Sequence, residues 1–471
     1  MSGTATAASV TAGHTVRGSR SFRGLRTAEH WFEVPLDHRS PEGEQLAVFA
    51  REVVSARHAD PEQLPWLLYL QGGPGSGAPR VTGLSGWLGE AAEHFRVLLL
   101  DQRGTGLSSP LNRQTLPLVG DAAAQAAHLR RFRADSIVHD AEAIRRALGV
   151  ERWTTLGQSY GGFITLTYLS MAPEGLERSL VTGGLAPLTG HADRVYRATY
   201  ARMAARNREY FEWYPEDRAT LDGVFEHVAQ VPEALPDGRP VTRGLVQMLG
   251  QYLGGNTRVH QLHHVLERPF VHTPDGRRLA DAFLETLQQL VSRLDNPLYA
   301  LMHESIYGQA GLGGREDDGG TATAWSADRV LADFPDFRPE APQPLLTGEM
   351  VYPWYFTDDP ALEPLRGTAE ELAAVDDWED LYDLAALAEN RVPVAAAVYS
   401  DDVYVDRDLS LETAGRVRGL RVWESADFHH DGIADDGPLI LRTLLAMTAP
   451  AGTGSDQPPT EAGTETEDGR A

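Results

Sequence analysis

The sequence predicts an α/β fold in which a mostly parallel β-sheet is flanked by helices and interrupted by a long helical insertion. Buried strands alternate with helices before residue 187, a pattern typical of a parallel sheet. Two further strands come only after residue 388, and the stretch between carries mostly helical patterns. Glycine-rich turns directly follow three of the early strands, and in an open α/β sheet that edge holds the ligand site.

Composition excludes several classes of protein. The 471 residues include 67 acidic and 42 basic side chains, and the resulting net charge of −25 argues against nucleic-acid binding. There is no cysteine, which excludes disulfides and thiolate chemistry. No run approaches the ~20 apolar residues of a membrane span, and residues 1–19 lack the apolar core of a secretory signal. We therefore expect a cytoplasmic protein that does not bind membranes.

Each predicted core element rests on a local pattern. Two antiparallel strands are predicted at 30–37 and 45–54, separated by a Pro-Glu-Gly turn. Near-continuous apolar runs at 65–70 and 95–100 are typical of strands buried on both faces. An amphipathic helix over 136–148 precedes a strand that ends near residue 158, and another strand follows at 176–184. The last elements are strands at 390–399 and 420–424 and a helix over 438–447.

The same patterns predict the domain organisation. A strand–helix unit needs only about 30 residues, so most of 187–388 must be an insertion, which we interpret as a helical cap. The core then consists of 23–186 and 389–448. Residues 1–22 and the acidic tail 449–471 are small, polar and without apolar periodicity, and both are expected to be disordered.

The turn after the strand near residue 158 has the pattern of a nucleophile elbow. Gly157 and Gly161 flank Ser159 at two residues on either side, and an apolar helix begins at once. A strand-to-helix turn this sharp brings neighbouring main chain too close for side chains and exposes the serine oxygen above the sheet. The pattern predicts Ser159 as a nucleophile.

Three loops together carry a resemblance to a known family. They are Gln71-Gly72-Gly73-Pro74-Gly75, Asp101-Gln102-Arg103-Gly104-Thr105-Gly106-Leu107-Ser108 and Gly157-Gln158-Ser159-Tyr160-Gly161-Gly162. In combination they resemble the prolyl aminopeptidases (proline iminopeptidases) of the α/β-hydrolase fold. That family usually begins the first loop with histidine, where this chain has Gln71. The resemblance implies a serine aminopeptidase that releases N-terminal residues, preferentially proline, from short peptides with a free N-terminus.

A serine nucleophile needs a histidine to take its proton and an acid to orient that histidine. Candidates follow the last two strands in the order Ser, acid, His, which is the α/β-hydrolase order. The register of Asp402 matches the acid of the resembling family, with Asp401 as second choice. His430 is preferred over His429 as the base because it precedes Asp431-Gly432, as in the turns of related hydrolases.

Further site residues follow from the chemistry and from the resemblance. The oxyanion would be held by the main-chain amides of Tyr160 and Gly73. The segments around Glu304 and Glu349 resemble those in which the family carries glutamates that bind the substrate's α-ammonium. Tyr307 and Trp354 would wall an apolar pocket of proline size.

Other functions remain open at this point. An esterase or amidase would use the same triad without Glu304 and Glu349, and a catalytically silent ligand-binding hydrolase would lack a triad member. Three histidines at 260, 263 and 264 are interpreted as polar surface, since no acidic ligand motif accompanies them. We expect no metal and no cofactor; the oligomeric state is not predicted.

Overall fold

The computed structural model describes residues 12–450. Its strands are β1 Gly13–Phe22, β2 Leu25–Pro35, β3 Gln45–Ser55, β4 Trp66–Leu70, β5 Arg96–Leu100, β6 Trp153–Gln158, β7 Leu176–Thr182, β8 Phe270–Thr273, β9 Gly276–Leu279, β10 Val394–Tyr399 and β11 Leu420–Ser425. Its α-helices are α1 Gly86–Ala91, α2 Ala122–Leu129, α3 Ala134–Ala147, α4 Tyr160–Met171, α5 Ala192–Trp213, α6 Pro215–Gln230, α7 Arg243–Gln247, α8 Arg258–Leu266, α9 Asp281–Val291, α10 Pro297–Met302, α11 Ser326–Val330, α12 Tyr355–Asp358, α13 Arg366–Ala374, α14 Leu384–Ala388, α15 Arg407–Arg416, α16 Gly432–Asp435 and α17 Gly437–Met447.

Nine strands form one sheet in the order β1-β2-β3-β5-β4-β6-β7-β10-β11. The first three strands and β5 pair antiparallel, and all pairs from β5 to β11 are parallel. This is the mostly parallel sheet that the alternation of strands and helices predicts. Because the carboxyl ends of the parallel strands share one edge, the loops after β4, β6, β10 and β11 meet there.

The central strands are buried on both faces. Alternate residues enter two apolar clusters on opposite sides of the sheet: Leu68, Leu70, Leu98 and Leu100 on one side, and Leu67, Tyr69, Val97 and Leu99 on the other. Helices α3 and α4 pack in the first cluster, and α1 and α17 in the second. The continuous apolar runs in the sequence thus reflect two-sided burial.

The prediction that residues 1–22 are disordered is wrong for residues 13–22, which form strand β1 at the edge of the sheet. Nearly all β1 side chains are exposed, so the strand has no apolar alternation to reveal it. Main-chain pairing with β2 holds it, together with a hydrogen bond between His14 Nε2 and His30 Nδ1 of 2.9 Å. Residues 1–11, and 451–471 of the predicted acidic tail, lie outside the described part of the chain.

Between β7 and β10 the chain forms helices α5 to α14 and one small hairpin. The hairpin, β8–β9, is not among the predicted elements, although Pro274-Asp275-Gly276 is a usual turn signal between short strands. Segments of this insertion contact the carboxyl edge of the sheet: Gly75 lies against Leu298, and Gly254 against Tyr404. Within residues 12–450, no helix combines the length and the apolar character that a membrane span requires.

Candidate active site

Ser159 lies between the last residue of β6 and the first residue of α4, with φ of 53° and ψ of −123°. A positive φ is uncommon for a residue with a side chain and signals a turn held by its surroundings. The flanking glycines explain how the turn is accommodated. A Cβ on Gly161 would clash with the Leu70 carbonyl of β4, and one on Gly157 would clash with the Gly161 carbonyl. The elbow packs too tightly for any larger residue at these positions.

Three predicted side chains meet at the carboxyl edge of the sheet. His430 Nε2 lies 2.9 Å from Ser159 Oγ, and His430 Nδ1 lies 2.9 Å from Asp402 Oδ2 and 3.1 Å from Oδ1. Ser159 and His430 are 8% and 7% exposed, and Asp402 is 1% exposed. The hydrogen bonds run from serine to histidine to carboxylate, which is the geometry needed to move a proton off the serine.

Asp402 is held by the turn after β10. Its Oδ1 accepts hydrogen bonds from the main-chain N–H groups of Tyr404 and Val405 at 2.8 and 2.9 Å. The neighbouring Asp401 is exposed, and Asp406 instead caps the start of α15. Of the three carboxylates near this strand end, the structure brings Asp402 alone to His430.

His429 points away from the serine. Its Nδ1 is hydrogen-bonded to Oδ1 of Asn256, in the insertion, and burial lowers the pKa of its imidazole. The two adjacent histidines thus face different ways, His430 toward Ser159 and His429 toward the insertion.

Two opposing effects set the proton affinity of His430. Burial disfavours its charged form, but the charge of Asp402 and its hydrogen bond outweigh burial and raise the pKa of His430 to about 9. The carboxylate of Glu349 adds to this increase. The carboxylate of Asp402 thus stabilises the imidazolium form of His430.

The glycine loop after β4 lies against the elbow. A Cβ on Gly72 would be 3.0 Å from Ser159 Cβ, so Gly72 lies against the elbow, and Gly73 is the next residue of the same loop. Tyr160 supplies the first main-chain amide of α4, while its phenol is buried and edge-on to Phe163. Both predicted oxyanion donors thus lie on segments that touch Ser159.

A small pocket lies near His430, between residues of the insertion and the turn after β10. Its wall includes Tyr404, whose ring centroid is 5.0 Å from that of His430. Glu349 and Tyr307, two of the predicted substrate-binding residues, line this pocket. The complete lining is Val195, Tyr196, Thr199, His303, Tyr307, Glu349, Val403 and Tyr404.

The other two predicted substrate-binding residues lie elsewhere. Oε1 of Glu304 accepts a hydrogen bond of 3.0 Å from the main-chain N–H of Ala327 at the start of α11, and burial raises the pKa of Glu304. Trp354 stacks on Tyr352 and packs against Gly244 of α7, and it is not among the residues that line the pocket. Both side chains contact other parts of the insertion, and the sequence alone does not reveal these contacts.

His303 and Tyr196 line the pocket although no sequence pattern singles them out. His303 immediately precedes Glu304, but its direction is decided by the turn that ends α10. Tyr196 is one of several aromatic residues along α5. Only the packing of α5 against the segment after α10 brings the two together.

The loop after β5 is braced by two ion pairs whose carboxylates are buried. Asp101 accepts from the main-chain N–H groups of Ala78 and Leu107, both at 2.8 Å, and pairs with Arg80. Arg103 donates to Asp140 of α3 at 2.7 Å and to the carbonyl of Leu36 at 2.8 Å. These contacts hold the loops that surround the elbow.

The histidines on α8 have protein partners. His260 is hydrogen-bonded to the Tyr214 hydroxyl, and His263 stacks on Tyr214 and contacts Asp217 at 3.0 Å. Across residues 12–450, no group of three or more His, Asp or Glu side chains is arranged to hold a metal ion.

Comparison with known proteins gives full-length relatives. A family model described as the alpha/beta hydrolase fold matches residues 65–217. The chain is 42% identical over 427 residues to the proline iminopeptidase of Aeromonas sobria, covering 90% of this chain and 97% of that protein. It is 34% identical over 431 residues to a proline iminopeptidase of Aspergillus aculeatus, covering 90% and 93%. Among solved structures, a 2-hydroxy-6-oxo-6-phenylhexa-2,4-dienoate hydrolase from Rhodococcus aligns with 16% identity and a TM-score of 0.38, covering 92% and 99%.

Proposed function

The chain belongs to the proline iminopeptidase family of α/β-hydrolases, and we propose that it releases N-terminal residues, preferentially proline, from short peptides through an acyl-enzyme at Ser159. The observation that carries the proposal is the continuous set of hydrogen bonds from Ser159 through His430 to Asp402, next to a pocket that contains the Glu349 carboxylate.

Acylation begins at Ser159. Its Oγ attacks the carbonyl carbon of the N-terminal residue while its proton passes to His430 Nε2, 2.9 Å away. The negative charge that develops on the carbonyl oxygen is stabilised by the main-chain amides of Gly73 and Tyr160. His430 then gives the proton to the departing amine, and the C–N bond breaks.

Deacylation repeats the same steps with water. His430 takes a proton from water, which attacks the ester carbonyl and releases the free amino acid and Ser159. Asp402 keeps the imidazole in the tautomer that can accept a proton at Nε2, and it stabilises the imidazolium in both half-reactions.

The substrate's ammonium needs a carboxylate because the pocket removes it from water. Glu349 is the carboxylate that lines the pocket, whereas Glu304 does not line it and interacts electrostatically with Tyr196, which does. Tyr307 forms part of the wall beside the pyrrolidine ring. We leave Trp354 out of the proposed substrate contacts because it packs within the insertion.

The experiment that tests the proposal compares three arylamides with the same leaving group. Their acyl parts are prolyl, N-acetylprolyl and cyclopentanecarbonyl, the last of which has no nitrogen. A charge-assisted hydrogen bond between the ammonium and a carboxylate is worth about 10- to 150-fold in specificity. The prolyl arylamide should therefore be cleaved at least about 10-fold more efficiently than the other two. Equal cleavage of the prolyl and N-acetylprolyl substrates would favour an esterase or amidase instead. Absence of turnover on all three would favour a ligand-binding protein.

A further inference from the structure

Two polar atoms in the pocket beside the triad are buried without a hydrogen-bond partner among residues 12–450. They are Nδ1 of His303, a residue that is 4% exposed, and the hydroxyl of Tyr196, which is 2% exposed. An unpaired buried polar atom is destabilising, and most such atoms in proteins are paired. Together with the Glu349 carboxylate, they offer hydrogen-bonding groups to a polar group that enters the pocket.

The imidazole of His303 packs against an aromatic ring. Its ring centroid lies 4.8 Å from that of Tyr299. Nδ1 has no protein partner, and it can accept a hydrogen bond when the proton of the neutral ring is on Nε2.

The neutral form of His303 is favoured by its environment. Burial lowers the pKa of the imidazole, with the nearby Glu349 carboxylate acting in the opposite direction. A neutral histidine does not repel a cation, and its free nitrogen accepts a hydrogen bond from one.

We propose that His303 Nδ1 accepts one N–H of the substrate's α-ammonium while Glu349 accepts the other. A protonated N-terminal proline is a secondary ammonium and carries two N–H donors, so these two acceptors satisfy it completely. The rest of the lining combines the apolar side chains of Val195 and Val403 with the hydroxyl-bearing side chains of Thr199, Tyr196, Tyr307 and Tyr404. This inference rests on the proposed function and assigns a specificity residue within it.

The first test is His303→Phe, which keeps an aromatic ring against Tyr299 and removes both nitrogens. Catalytic efficiency on a prolyl arylamide should fall about 10- to 150-fold, mainly through a higher KM. His303→Asn, which restores an acceptor near the position of Nδ1, should recover most of the loss. Cyclopentanecarbonyl phenyl ester, which has no amine, should lose much less efficiency in His303→Phe, so the preference for the prolyl substrate over the carbocyclic one should fall.

Three outcomes would overturn the assignment. An equal loss on the prolyl and carbocyclic substrates would mean that His303 only maintains the shape of the pocket. An unchanged KM for the prolyl substrate in His303→Phe would show that the nitrogen does not contact the amine. A loss in Tyr196→Phe without one in His303→Phe would assign the contact to the hydroxyl. A failure of the proposed function would be recognised separately, because the unmodified protein would then cleave the prolyl and N-acetylprolyl arylamides equally well.

Discussion

Replacing Glu349 with glutamine should separate recognition of the substrate's amine from the chemistry at Ser159. Glu349 lines the pocket and is half-buried, and glutamine preserves its shape while removing its charge. The lost contact is a charge-assisted hydrogen bond of about 1.5–3 kcal/mol. At 1.36 kcal/mol per tenfold, the catalytic efficiency on a prolyl arylamide should fall about 10- to 150-fold.

The same substitution should change the pH dependence in a defined direction. The charge of Glu349 is one of the effects that raise the pKa of His430 to about 9, so its removal should lower that pKa. His430 must be neutral to accept the proton of Ser159, and activity therefore rises with pH until His430 has lost its own proton. In Glu349→Gln this rising limb should move to lower pH. A neutral ester should be hydrolysed at neutral pH at least as fast as by the parent.

The assay is a pair of pH–rate profiles between pH 5 and 10 for parent and variant, one with a prolyl arylamide and one with cyclopentanecarbonyl phenyl ester. A similar loss of catalytic efficiency on both substrates would show that Glu349 supports the structure of the site and does not bind the substrate's amine. A rising limb that stays in place or moves to higher pH would contradict the electrostatic link between Glu349 and His430.

Ser159→Ala should lower turnover at least about 1000-fold without changing the melting temperature, and a serine-directed phosphonate should label the parent at Ser159; labelling at another residue would refute the assignment. His430→Ala should be similarly inactive, whereas His429→Ala should retain activity, and the reverse result would move the base by one residue. Asp140→Asn should lower the free energy of unfolding by about 3–5 kcal/mol, measured by denaturant titration, because Arg103 is left buried without its carboxylate. A decrease in the free energy of unfolding of less than about 1 kcal/mol would show that the main-chain carbonyls that accept from Arg103 are enough to stabilise its buried charge.

The elbow and the core strands were predictable because their causes are local. Two-sided burial gives a strand a continuous apolar run, and a sharp strand-to-helix turn requires glycines at positions fixed relative to Ser159. The family resemblance rests on these same loops, and the full-length relatives confirm it. The edge strand β1 escaped prediction because it is stabilised by main-chain pairing, which leaves no pattern in its exposed side chains.

The choice between neighbouring residues depended on tertiary structure. Asp401 and Asp402, like His429 and His430, differ by one position in a loop, and loop conformation decides which side chain faces the sheet edge. The patterns around them favoured Asp402 and His430. In the structure, His430 is distinguished by its hydrogen bond with Ser159, and Asp402 by its hydrogen bond with His430.

The pocket depended on tertiary structure most of all. Glu304, Glu349 and Trp354 lie in an insertion whose helices pack through contacts distant in sequence, so a motif cannot say which side chain reaches the triad. Glu304 meets the start of α11, Trp354 meets α7, and Glu349 enters the pocket beside His303. By itself, the sequence determined the fold class and the family, and it predicted the elbow at Ser159. Which residues of the insertion can touch a substrate was decided by long-range packing, because the directions of those side chains are set by neighbours far away along the chain.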